Sequence, residues 1–435
     1  MLSVPDEWRV QETGSGFLQQ SDHWWDNFDD PQLSMLIGRV LTSNNDLAIA
    51  GLKLQQARLA AGLVNTNLTP TVTAATAGAS NSKNLHQGGN STESYSSNLA
   101  LSYELDLWGK LARAREQAQW QAEATEQDRQ NTALTLIGNT AQYYWQIANL
   151  NQQIKQQQAG LDISQQTLAQ VQSRYDAGAV GQLDLLLAQQ SVIVRENSYR
   201  TKQQQREEAR NALAILFNRS PTERQAERSS LDINQNVQIA STLPVEVIAR
   251  RPDVQAAEKN LRAALAGSDV ARLNFYPTLS LNAALGTSNS IFQQWFNHPT
   301  RTLGGSVALP FLNWNTVQLT IDKSDLDVKQ AAITFRSQVY NAFADVDNAM
   351  TQRQSYQQQK INQQRNLQLS QQRLALARSQ YQAGAVSIKT LLDAEDALLT
   401  IESNLSELQY NYLNSTMKLW LALGGGVEKD SDITG

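Results

Sequence analysis

Two stretches without proline, residues 71–220 and 311–435, constrain this chain more than any other feature of its sequence. Proline costs about 3 kcal/mol inside a helix, so only tracts lacking it can hold very long helices. Residues 108–174 are rich in Gln, Ala, Leu, Glu and Arg, and past their start contain only Gly138 and Gly160; residues 316–382 contain no glycine at all. Each tract reads as one helix of about 100 Å at 1.5 Å per residue. That is far longer than an ordinary globular domain is wide.

Apolar residues in these tracts recur at a spacing of seven. Ile147, Ile154, Leu161, Leu168 and Tyr175 hold one register; Leu367, Leu374 and Tyr381 repeat it. The cleanest seam joins Leu391, Leu398, Leu405, Tyr412 and Leu419 with Ala394, Ile401 and Leu408. A seven-residue repeat keeps one stripe against a partner helix in a left-handed supercoil. A soluble coiled-coil rod would satisfy this feature alone.

The chain also repeats itself at an offset of about 206 residues. Tyr175-Asp-Ala-Gly-Ala-Val180 matches Tyr381-Gln-Ala-Gly-Ala-Val386, Trp108 pairs with Trp314, and Asp46…Pro70-Thr71 matches Asp253…Pro277-Thr278. So long a period marks duplication of a whole structural unit. The expected organisation is an N-terminal segment 1–43, a first repeat 44–217, a linker 218–251, a second repeat 252–423 and a tail 424–435. Each repeat reads as a helix (45–69; 253–276), a hairpin (70–105; 277–310), a long helix, a turn and a returning helix (181–217; 387–422). Asn44 or Asn45 caps the first helix, Pro252 occupies a first turn, and Gly178 and Gly384 suit C-terminal caps. In each repeat the two short helices together match the long one in length, so they can stack end to end beside it. A plain hairpin rod would not need that.

Each hairpin shows the period-two alternation of a strand. Leu279, Leu281, Ala283 and Leu285 alternate with Ser280, Asn282 and Ala284; Leu303, Gly305, Val307 and Leu309 follow on the return. In the first repeat Tyr95, Leu99, Leu101, Tyr103 and Leu105 are clear, whereas 70–79 is weaker, and Ser80–Ser94 and Gly286–Thr302 read as long polar loops. About ten alternating residues suffice for a membrane β-strand. Phe275, Tyr276, Tyr103, Trp108, Phe311 and Trp314 crowd the strand ends, where aromatic rings suit a membrane–water interface. Four strands cannot close by themselves, and a sheet in hydrocarbon must close. A dimer would supply eight strands around a filled interior; a trimer supplies twelve and leaves a pore.

Composition removes the main alternatives. Without cysteine there is no disulfide, thiolate metal site or cysteine nucleophile, and His23, His86 and His298 lack metal-ligand or triad spacing. A formal charge of −5 leaves no basic footprint, so no nucleic-acid partner is expected. Asp322, Asp325 and Asp327 lack the glycine and glutamate of a calcium loop and read as a solvated face. Neither an enzyme nor a cofactor is expected. With no secretory signal and no run of 18 apolar residues, the chain reads as cytosolic or already processed, without a membrane-spanning helix.

Together these residues resemble the TolC-type outer membrane factor family, closer to its multidrug than to its protein-secretion branch. The resemblance rests on Tyr103-Glu-Leu-Asp-Leu-Trp-Gly-Lys110, Arg250-Arg-Pro-Asp253, Phe275-Tyr-Pro-Thr-Leu-Ser280, Leu309-Pro-Phe-Leu312, Leu391-Leu-Asp-Ala394 and the duplicated Tyr-x-Ala-Gly-Ala-Val. It covers about residues 20–424 in order.

The family implies an α+β membrane protein. Its homotrimer forms a twelve-stranded outer-membrane β-barrel continuing into a twelve-helix periplasmic α-barrel, with a small equatorial domain built here from 1–43, 218–251 and the tail. The implied function is the exit duct of a tripartite efflux pump. Small-molecule cargo would cross periplasm and outer membrane passively, the periplasmic tip opening when an adaptor and an inner-membrane pump dock. Outer-membrane lipid is the other implied partner. Drug-pump members often begin with a lipidated cysteine, which this sequence lacks. By motif match the adaptor-docking tips are Gly178, Ala179, Val180, Gly384, Ala385 and Val386. Asp393 matches the aperture carboxylate, Thr390 stands where a second acid can occur, and Asp184 is the first repeat's counterpart. Three Asp393 side chains around a threefold axis would form a ring of like charge. A non-conducting periplasmic coiled-coil adaptor or tether is the alternative, although it has no use for alternating strands with aromatic ends.

Overall fold

The computed structural model describes residues 23–83, 91–237, 239 and 250–425. Parts of the expected equatorial segments (1–22, 240–249 and 426–435) lie outside the described residues, as does 84–90. In chain order the main elements are α1 (Pro31–Ser43), α2 (Asn45–Asn65), β1 (Thr71–Lys83), β2 (Ser91–Leu105), α3 (Lys110–Asp176), α4 (Gln182–Leu216), α5 (Pro252–Leu273), β3 (Thr278–Asn289), β4 (Pro299–Ala308), α6 (Trp314–Gln382) and α7 (Ile388–Ala422). The two long helices are thus single, uninterrupted elements of 67 and 69 residues. α3 starts at Lys110 rather than 108 because the Asp106 carboxylate accepts from the amides of Leu111 and Ala112, at 2.9 and 2.8 Å, while Gly109 turns the chain at φ 76°.

One compact unit comprises Gly51–Asp128 and Asp253–Gln338. Its sheet is antiparallel in the order β1-β2-β3-β4, leaving β1 and β4 as edges. The register sorts its side chains by chemistry. Leu105, Leu279 and Val307 share a row, as do Tyr103 with Leu281, Leu101 with Ala283 and Leu303, and Leu99 with Leu285. All of these lie on one face. The other carries Glu104, Ser280 and Ser306, then Ser102 and Asn282, then Asn98 and Thr300. Leu281, Leu285, Leu303 and Val307 are exposed, so the apolar face has no cover among the described residues.

Helices in this unit follow the strand order. α2 meets α3 through Arg58–Glu126 (3.6 Å), and α3 meets α5 through Lys259–Glu123 (2.9 Å) and through Lys259 and Arg262 over the Trp120 ring. α5 meets α6 through Arg272–Asp325 (2.8 Å) and Gln338–Asp253 (2.6 Å). The outer helices α2 and α6 therefore belong to the two edge strands. Both carry free heptad seams: Leu52 and Leu59 on α2, and Leu319, Leu326 and Ile333 on α6, are all more than half exposed.

Both expected loops lose their ends to the strands. Ser80–Lys83 and Ser91–Ser94 belong to β1 and β2, and Gly286–Asn289 and Pro299–Thr302 to β3 and β4. Backbone pairing continues where side chains turn polar, as from Ser80↔Ser94 to Lys83↔Ser91, so a search for apolar alternation stops too early.

The second unit comprises Met1–Ala50, Arg129–Pro252 and Val339–Gly435. Its largest core joins the 3₁₀ turn Trp24–Phe28 and α1 to the middle of α3 and the end of α7. Phe28 packs on Trp145, and Trp24 stacks on Trp420. Asp30 caps α1 at the Leu33 amide (3.2 Å), accepts from the buried Tyr144 hydroxyl and pairs with Arg228 at 3.1 Å. Burial and the Asp30 contact together push the Tyr144 phenol well above its ordinary range, keeping it a proton donor. The linker is held against α7 by Arg353, which donates to the Val237 carbonyl and the Tyr412 hydroxyl.

Candidate functional site

Both helical turns end in the same motif. Gly178 and Gly384 adopt φ 73°, in the left-handed region where a Cβ is disfavoured. Ala179 donates to the Arg174 carbonyl (2.7 Å) and Ala385 to the Gln380 carbonyl (2.8 Å), closing both helices with Schellman-type caps. Val180 and Val386 then fold back onto a core of Val171, Ala188, Leu374, Tyr381, Ile388 and Leu391. The six residues proposed from sequence as docking tips thus form two equivalent turns whose glycines and alanines are exposed.

The proposed aperture residues sit just beyond these turns. Ser387 caps α7 at the Thr390 amide, and Thr390 is exposed in the first turn. Asp393 is exposed too, but not solitary: Lys389, one turn earlier, binds its carboxylate at 2.9 Å. Asp184 occupies the first turn of α4, half-buried. The motif match singles out carboxylates and so passes over Lys389; its i,i+4 spacing to Asp393 was the available signal.

A second cluster had no place in the sequence reading. Arg195 of α4 and Glu395 of α7 are both buried, at 3% and 4% exposure. Arg195 binds Asp396 at 2.8 Å and approaches Glu395 at 4.0 Å; Arg378 of α6 reaches Glu395 at 3.7 Å, and Thr167 of α3 donates to it at 3.4 Å. One cluster therefore ties all four helices together. Burial raises the Glu395 pKa, and the two guanidiniums only partly oppose it. Glycine at position 160 makes room, since a Cβ there would lie 2.8 Å from Arg195 and 2.9 Å from Leu399. The signal was positional: Arg195 stands seven residues after buried Ala188, and Glu395 seven after buried Ile388.

Above this cluster the α3–α7 seam is itself polar. Asn149, Gln153, Gln157 and Ser164 are buried; Asn149 donates to Glu407 at 2.7 Å, and Gln153 to the Ser403 carbonyl at 3.4 Å.

In the sheet unit, Trp108 donates to the Pro277 carbonyl (2.8 Å) and stacks on Tyr276, while Phe275 meets Phe311. Trp108, Phe275, Tyr276, Phe311 and Trp314 are all exposed, and Tyr103 lies on the apolar sheet face. Asp325, from the aspartate-rich stretch, binds Arg272 and Ser268. Among the described residues no cluster suited to a metal occurs, and no helix is long and apolar enough to cross a membrane.

The sequence matches the outer membrane efflux protein family over residues 36–219 and again over 243–425, offset as the repeated motifs are. The chain belongs to the outer membrane efflux protein family. Among relatives, the pyoverdine export outer membrane protein OpmQ of Pseudomonas putida is 30% identical, covering 99% of this chain and 93% of its own. The cation efflux system protein CusC of Escherichia coli K12 is 30% identical over 98% and 94%. Among solved structures, the open-state outer membrane channel MtrE of Neisseria gonorrhoeae superposes with a TM-score of 0.84 at 27% identity, over 99% of this chain and 100% of that one. As a member of the family this chain is an outer-membrane export channel of an efflux system, extending into the periplasm, and not an enzyme. Family membership also decides against the cytosolic reading and against a non-conducting tether.

Proposed function

We propose that three copies of this chain close into one duct, opened at its helical turns when a periplasmic adaptor and an inner-membrane pump engage it. The observation carrying this reading is the coincidence of three unfinished features in the sheet unit. Among the described residues an apolar sheet face lacks a cover, two edge strands lack partners, and the helices joined to those edges carry exposed heptad seams. Lipid covers the face, and neighbouring copies complete the edges and seams. Tyr103, Trp108, Phe275, Tyr276, Phe311 and Trp314 then sit at the periplasmic interface of the outer membrane. Repeats 44–217 and 252–423 each supply one hairpin and one helical arm, with 1–43, 218–251 and 424–435 forming the equatorial belt.

Opening requires the α3–α4 and α6–α7 arms to part. Their polar seam suits this: buried amides that lose protein partners can bond water instead, whereas an apolar seam would pay the full cost of wetting. The glutamine richness of the chain thereby acquires a mechanical role.

At the aperture, Lys389 beside Asp393 gives each copy a balanced pair. A threefold arrangement then presents alternating charge, and the wild-type pore discriminates little between small ions. In planar bilayers, Lys389→Gln is expected to shift the reversal potential towards cation selectivity, and Asp393→Asn towards anion selectivity. Equal reversal potentials in all three proteins would place neither residue at the constriction. Cargo is taken to be small solutes; OpmQ is named for pyoverdine export and CusC for cation efflux.

A further inference from the structure

The turn joining β3 to β4 is an ordered aromatic knot. Its 3₁₀ turn Phe292–Gln294 is followed by Trp295, which stacks on Phe296. Phe292 and Trp295 both pack against Tyr95 of β2, with ring centroids at 5.3 and 5.6 Å. The Thr287 hydroxyl donates to the Trp295 carbonyl at 2.5 Å.

The sheet register decides which way this knot folds. Tyr95 pairs with Asn289, four residues along β2 from the Leu99↔Leu285 pair and eight from Tyr103↔Leu281. An even separation keeps Tyr95 on the same face as these apolar residues, and Thr287 shares that face with Leu285. Both groups that hold the knot therefore lie on the apolar side of the sheet, not on the side of Ser102, Asn282 and Ser306. Ile291, Phe292 and Phe296 remain exposed beyond it, at 50%, 62% and 70%.

The spacing fits a bilayer. From Leu105 to Tyr95 the strand rises about 34 Å at 3.4 Å per residue. A barrel tilt of about 40° reduces this to roughly 26 Å, close to the height of the apolar band between two aromatic girdles. Arg301 pairs with Leu285 on the same face, near the start of β4, where a long cationic side chain can reach upward to anionic headgroups.

We infer that Ile291, Phe292, Trp295 and Phe296 form an outer-leaflet anchor. They seat in the interface between acyl chains and headgroups outside the barrel, with Arg301 facing lipid phosphate, and do not narrow the channel mouth. This rests on the outer-membrane assignment, but not on the aperture or the adaptor.

The absence of cysteine makes the test direct. Spin labels would be placed singly at Ile291→Cys and Phe296→Cys, with Ser288→Cys on the polar face as control. Each protein would be reconstituted in vesicles of phosphatidylethanolamine and phosphatidylglycerol, after confirming that it retains the native oligomer in detergent. The anchor predicts collision rates several-fold higher with oxygen, and lower with a water-soluble nickel chelate, at 291 and 296 than at 288. Nickel accessibility at 291 and 296 equal to that at 288 would overturn it, as would a large rise in conductance on Phe292→Ala/Phe296→Ala. A label at Leu285→Cys distinguishes the readings: if it is lipid-exposed while 291 and 296 are aqueous, the membrane assignment stands and the anchor falls.

Discussion

Replacing Arg195 by alanine is expected to loosen the periplasmic end of the duct more than any other single change in the helical arms. The guanidinium is buried between α4 and α7, and its removal leaves Glu395 with Arg378 alone at 3.7 Å and Thr167 at 3.4 Å. Breaking a buried pair by removing one partner typically costs about 3–5 kcal/mol. Here Arg195 Nε and Glu395 Oε2 have no hydrogen-bond partner among the described residues, and the direct bond Arg195 makes across the helices is the one to Asp396 at 2.8 Å. The expected result is a raised open probability in planar bilayers and a lower thermal midpoint.

The same cluster sets a pH dependence with a definite sign. Burial raises the Glu395 pKa above its ordinary value, so the unfolded or parted state binds fewer protons in the interval between the two. Stability contributed by this group is complete below the ordinary glutamate pKa and is lost as pH rises through the raised value. Mild acid should therefore tighten the arms, and neutral pH ease them. Glu395→Gln should flatten this dependence while keeping the arms joined. A pH profile unchanged by that substitution would assign the dependence to other groups, of which Asp396 is the nearest carboxylate binding Arg195.

The second large effect is expected at the free seam of α6. Leu319, Leu326 and Ile333 recur every seven residues and are 69%, 63% and 58% exposed in the single chain. Burial of each such side chain against a neighbour is worth about 1.5–3 kcal/mol, repeated at every interface of the ring. Changing all three to glutamate should leave the chain folded, since none lies in its core, but abolish the oligomer in detergent. Sedimentation or light scattering would read this directly, and a persisting trimer would show that the α6 seam faces something other than a neighbouring copy.

The long helices and lower strands were legible because each writes a period into the chain. Seven-residue recurrence from Ile147 to Tyr175 and alternation from Leu279 to Leu285 need no tertiary information. The upper strands were not legible, since Ser91–Ser94 pairs by backbone alone. Nor was the polar seam: Gln153 and Asn149 look like surface residues until α7 covers them. The Arg195–Glu395 cluster was hidden for the same reason, as a charge at a seam position reads as solvated unless its partner from another helix is known. The Trp24–Phe28 turn and α1 stayed undivided within the N-terminal segment, although Asp30-Pro31 is a cap and first-turn pair. The tip glycines were legible because positive φ leaves few other choices.

Conversion of an open four-stranded sheet into a conducting barrel requires a closed ring of copies. Its most direct test is to purify the chain in detergent, establish its stoichiometry, and add it to a planar lipid bilayer. A trimer that inserts and conducts in discrete steps is expected. A water-soluble monomer that leaves the bilayer silent would contradict it.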